Sequence, residues 1–121
     1  MDSGMFFPIQ KAATKALELE NDWFDAQNTD YKKRRAILWE MCETLNLSFD
    51  KSAVGLFVWG KVNSSQSAKE LADELLYKRN VFVTPGDVFG SNGSNYLRFS
   101  LCVSEEELSI CKERISKSEA I

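Results

Sequence analysis

At 121 residues the chain fits one domain, able to bury roughly two-thirds of the surface it exposes when unfolded. An apolar share of 44%, a net charge of −3 and a pI near 5.0 argue against a nucleic-acid-binding surface as the main function. Histidine is absent, which removes imidazole-based triads and most zinc sites, and the three cysteines, Cys42, Cys102 and Cys111, show no C-x-x-C spacing. No apolar run is long enough to cross a bilayer and no apolar h-region follows a basic start, so the chain reads as soluble and cytoplasmic, with reduced thiols, no membrane and no metal.

Pro8 suits the first turn of a helix, where its missing N–H costs nothing, and Ile9, Ala12, Ala13, Ala16 and Leu17 follow at helical spacing. Met5, Phe6 and Phe7 stand ahead of it as an apolar cluster that calls for a cover. Residues 22–28 read as a break, and a second helix is predicted from Thr29 to Leu45, with Tyr31, Leu38, Met41 or Cys42, and Leu45 along one stripe. The basic run Lys32, Lys33, Arg34 and Arg35 spreads around such a helix and reads as a solvated face, not a phosphate patch or a nuclear signal.

Leu56-Phe57-Val58-Trp59 suits a strand covered on both faces, which puts Trp59 in the core. The polar stretch 63–67 is a helix entry, and Ala68, Leu71, Ala72, Leu75 and Leu76 form the buried stripe of the helix that follows. Val81 to Thr84 is the next strand, giving a strand–helix–strand crossover. Ser104 and Glu107 make a capping box that starts a last helix with Leu108, Cys111 and Ile115 facing inward, and the tail after Lys117 is expected to fray.

Between the crossover and the last helix lies VFVTPGDVFGSNGSNYLRFSL, residues 81–101, where function concentrates. Strand alternation gives Leu97, Phe99 and Leu101 to the core face and Tyr96, Arg98 and Ser100 to the other. A guanidinium held on a strand beside a glycine-punctuated loop suits capture of a carboxylate or phosphate through paired hydrogen bonds. On residues alone, an arginine on a solvated strand face is the competing reading. The glycines at 86, 90 and 93 do not make a phosphate loop, because no G-K-[ST] follows and the loop leads into a strand; tight turns and close backbone approach account for them.

The blocks GLFVWGKV, AKELADELLYKRNVFVTPGDVFG, NYLRFSL and SEEELSICKERI, in this order and spacing, resemble the C-terminal small domain of the class I aminotransferases, the fold-type-I enzymes that use pyridoxal phosphate. SGMFFPIQKAATKAL resembles the end of that family's large domain and its approach to the subunit interface. The resemblance implies an α/β (α+β two-layer) fold: a small mixed sheet with helices on one face, preceded by a long linking helix. It implies a remnant of the large domain over 1–27, the linking helix over 28–47 and the small domain over 48–121. It also implies that Arg98 binds the substrate α-carboxylate, with Pro85, Gly86 and Phe89 at the mouth of the active site. Aromatic residues of the strand that holds Trp59 line the substrate side in some members, the alternative to its place in the core.

The chain departs from the family in lacking counterparts of the long cofactor-binding domain and of the small domain's N-terminal strip. It has no S-x-x-K segment followed by P-G-x-R-x-G, and no lysine in the setting that forms the cofactor's Schiff base. The expectation is therefore the C-terminal part of an aminotransferase, inactive alone and binding no cofactor by itself, whose complete form pairs an amino acid with a 2-oxo acid and is a homodimer. Self-association of the chain through its uncovered apolar cluster is a further expectation. The alternative is a free-standing α/β domain that binds a carboxylate or a protein partner.

Overall fold

The computed structural model describes residues 4–117; the expected fraying beyond Lys117 lies outside them. The chain divides into two compact units, Met1–Asp30 and Tyr31–Ile121.

In the first unit, helix α1 (Phe7–Leu17) starts with the expected proline in its first turn and buries none of its residues. Met5, Phe6 and Phe7 are all exposed. Helix α2 (Asn21–Thr44) begins in this unit and runs without the break expected at 22–28. That stretch holds neither proline nor glycine, Asp22 complements the positive end of the helix, and the Thr29 hydroxyl donates to the Asp25 carbonyl inside the helix instead of capping a new one.

In the second unit, strands β1 (Leu47–Ser48), β2 (Phe57–Val62), β3 (Thr84–Pro85) and β4 (Tyr96–Ser100) form one sheet in the order β1-β2-β4-β3. Helix α3 (Ala68–Arg79) links β2 to β3, and α4 (Glu105–Ser116) follows β4. All three ladders are antiparallel, so the sheet is not mixed in its pairing. The crossover through α3 does leave β2 and β3 running the same way, but β4 returns between them and pairs with both.

Helix starts follow the sequence closely. Ser67 with Glu70 and Ser104 with Glu107 each form a complete capping box, the first unforeseen and the second expected. Asn80 closes α3 in the left-handed conformation, and the Val81 N–H reaches back to the Leu75 carbonyl at 3.0 Å.

One face of the sheet carries the core. Val58, Val62, Leu97, Phe99 and Leu101 pack with Leu38, Met41 and Cys42 of α2, Ala68, Ala72 and Leu75 of α3, and Leu108 and Ile115 of α4. Gly60 makes room there: a Cβ on it would stand 2.8 Å from Leu47 Cδ1 and 3.5 Å from Cys42 Sγ. β2 is buried on alternate residues only, not on both faces, so Phe57 and Trp59 lie on the side opposite the helices and the core assignment of Trp59 is corrected. Val81 and Val83 are buried as a strand would bury them, yet the ladder forms only at Thr84 and Pro85. Proline has no N–H to give a ladder, which restricts it to a sheet edge.

Candidate functional site

The face of the sheet away from the helices holds the candidate site. Register places Arg98 of β4 directly between Trp59 of β2 and Thr84 of β3, all three on this face. Its neighbours along β4, Leu97 and Phe99, are 0% and 3% exposed, so the strand is anchored from behind while Arg98 stands forward.

Two rings hold the guanidinium. Arg98 Cζ lies 4.2 Å from the ring centroid of Phe57 and 4.1 Å from that of Phe89. Attraction between a cation and a ring face uses no hydrogen-bond donor. Among the described residues, no carboxylate or carbonyl pairs with Arg98. Its fork of donors is therefore unspent, whereas Arg34, Arg35 and Arg114 all donate to backbone carbonyls.

Phe89 reaches the site from a loop of two 3₁₀ turns, Gly86–Phe89 and Ser91–Gly93. Gly86 and Gly93 meet backbone to backbone, and a Cβ on Gly86 would also stand 2.9 Å from the Tyr96 carbonyl oxygen. Gly90, at φ 122°, reverses the chain between the turns in a conformation open to glycine. The N–H groups of Gly90, Gly93 and Ser94 donate to Asp87, Gly90 and Ser91. The loop spends these amides on itself, and what it contributes to the site is a ring. Trp59 packs edge-on against Phe89 at 5.5 Å and Tyr96 at 6.3 Å, and a groove of about 440 Å³ opens among Trp59, Phe89, Asn92, Gly93 and Tyr96.

Of the residues singled out from sequence, Arg98, Trp59 and Phe89 come together. Pro85 pairs with Leu97 at the sheet edge, and Gly86, the first residue of the loop, is buried against Gly93. Phe57 and Thr84 were missed. Alternation from Val58, read as a half-buried strand, would have found Phe57.

The basic run is also more than a solvated face. Arg34 donates to the Leu101 carbonyl at 3.1 Å and Arg35 to Ala53 at 3.2 Å and to Gly55, so the two fasten the end of β4 and the approach to β2. Burial, with the Glu43 carboxylate adding to it, pushes the Cys42 thiol up to about 12, and partial burial also raises the half-buried Cys111, so neither thiol is activated as a thiolate.

This fold is that of an aminotransferase small domain, and the chain belongs to the aminotransferase class I and II family, whose signature matches residues 3–115. It is 35% identical over 117 residues to the LL-diaminopimelate aminotransferase of Maridesulfovibrio salexigens, covering 97% of this chain and 30% of that protein. It is 33% identical to the transaminase BacF of Bacillus subtilis, with 94% of this chain and 29% of that one covered. The substrate-bound structure of BacF superposes with a TM-score of 0.80 at 32% identity, over 93% of this chain and 29% of that chain. An aromatic aminotransferase from Pyrococcus horikoshii gives 0.78 at 28% identity, over 89% and 30%. The chain thus spans about 30% of the length of the relatives it matches.

The family uses pyridoxal phosphate, and the residues present do not fit it. Among the described residues no lysine is buried; all are exposed except Lys112, which is half-exposed and paired with Glu40. S-x-x-K spacing occurs at Ser48–Lys51 and Ser109–Lys112, but no P-G-x-R-x-G follows either, and Lys51 and Lys112 pair with Glu43 and Glu40. Among the described residues no helix is long and apolar enough to cross a membrane.

Proposed function

We propose that this chain supplies the α-carboxylate clamp of a pyridoxal-phosphate-dependent aminotransferase, with Arg98 as the binding residue. The complete enzyme exchanges an amino group between an amino acid and a 2-oxo acid, works as a homodimer in the cytoplasm, and carries its cofactor on the part of the protein that this chain lacks. The observation that carries the reading is the Arg98 guanidinium, fixed over two rings with its donors unspent. A carboxylate there accepts two parallel N–H···O bonds, which fixes the α-carbon of the substrate relative to the reacting centre. Trp59 and Phe89 form the apolar wall beside that clamp. Because several relatives are LL-diaminopimelate aminotransferases, that diamino acid is the first substrate to try.

The test has two parts. Genomic sequence for roughly 300 codons upstream is expected to encode S-x-x-K and P-G-x-R-x-G. In the complete enzyme Arg98→Lys lowers kcat/KM by about tenfold or more for every amino-acid substrate, since one ammonium cannot replace the fork. An unchanged kcat/KM removes Arg98 from the site.

A further inference from the structure

We infer that Phe57 and Phe89 are positioning residues that preorganise Arg98 for carboxylate binding, with Phe89 as the adjustable member; the inference rests on the carboxylate reading of Arg98.

An arginine side chain carries several freely rotating bonds, and ordering it on binding weakens affinity unless it is already ordered. Arginines in proteins are commonly held by carboxylates, but a carboxylate partner here would occupy the donors that the ligand needs. Arg98 is held instead by two phenyl rings at nearly equal distance, 4.2 and 4.1 Å, which restrain its position and leave its hydrogen-bonding edge free.

The rings differ in what fixes them. Phe57 lies on β2, where its strand partner is Ser100, two residues from Arg98 on the same face. Phe89 ends a 3₁₀ turn, is 49% exposed, and is located by the Gly86–Gly93 backbone contact and by the edge of Trp59. A small displacement of the turn therefore moves one wall of the clamp while β2 and β4 keep the other in place. Both rings are too exposed to be principal members of the core, so their placement over Arg98 is better explained by that contact than by stability.

The experiment uses the 121-residue chain, acetate as the minimal carboxylate, and the Arg98 Nε–H resonance in ¹H–¹⁵N NMR. In the unsubstituted chain the resonance is shifted by both rings and moves on acetate addition. Phe89→Leu keeps an apolar side chain but has no ring face; it should collapse the ring-induced shift and weaken acetate binding roughly three- to tenfold. Phe89→Tyr restores both, and Phe57→Leu behaves as Phe89→Leu does. Denaturation midpoints of the variants confirm that they are folded. If both leucine variants bind acetate as the unsubstituted chain does, positioning by the rings is overturned while Arg98 remains the carboxylate site. If the Arg98 resonance of the unsubstituted chain does not respond to acetate, the carboxylate reading fails and takes this inference with it.

Discussion

The two faces of β4 make different use of one five-residue strand. Leu97 and Phe99 are sealed against three helices, where exchange of a side chain is felt throughout the core. Tyr96, Arg98 and Ser100 face the other way, half-buried among aromatic rings, with a charge that no other described residue neutralises. Alternation thus separates what keeps the domain folded from what it offers a ligand. A substitution should disturb one property and spare the other.

The largest effect is expected on the core face. Leu97→Ala leaves a cavity at a fully buried site and should cost about 3 kcal/mol in chemical denaturation. A cost below ~1 kcal/mol would mean that the helices do not seal this face. Gly86→Ala comes next, at about 2 kcal/mol, because the added methyl group meets backbone that cannot rotate away. It crosses between the faces: by moving the turn it should also remove the NMR contact between Phe89 and Arg98. Ser104→Ala, which deletes the capping hydroxyl of α4, should cost about 1 kcal/mol and leave that contact intact. Arg98→Lys closes the series, with a stability change within ~0.5 kcal/mol but loss of the acetate-induced shifts of the β4 backbone amides. A larger destabilisation would show that the charged face also helps to hold the fold.

Titration sharpens the same division. The folded-state value of Cys42 is raised from 9.0 to about 12, so its contribution to stability is complete below pH 9 and is lost as the pH rises toward 12. Iodoacetamide at mildly alkaline pH should accordingly label exposed Cys102 first, Cys111 next and Cys42 last. Early labelling of Cys42 would mean that α2 opens readily. At the acid end, the Ser67 backbone N–H and hydroxyl hold Glu70 below its usual range. That contribution is present above the usual carboxylate range and is lost as pH falls through the lowered folded-state value, measurable as loosening of the first turn of α3.

How much of this was legible in the sequence depended on whether the signal was local. The two faces of β4 could be read from NYLRFSL, and the start of α4 from Ser104 and Glu107, because alternation and capping are set by residues a few positions apart. The family could be recognised because several such blocks recur in order. What escaped was decided across the fold. Phe57 and Trp59 looked like core because all of Leu56 to Trp59 is apolar, which hides the alternation, and pairing with β4 sets them beside the arginine. The continuity of α2 was obscured by polar residues at 22–28 that helices tolerate well, and the fastening role of Arg34 and Arg35 depends on carbonyls far along the chain. The antiparallel pairing depended on β4 inserting between two strands already joined by a crossover.

Both outer strands of the sheet, β1 and β3, are only two residues long, and β3 includes Pro85. Such short margins give an incoming strand little to pair with, and the proline removes one of the few available donors. Growth of the sheet into fibrils is thereby discouraged at both ends. Concentrated solutions of the chain should bind little thioflavin T, and any clusters that form should be held by the exposed side chains of Met5, Phe6 and Phe7 and disperse in mild detergent.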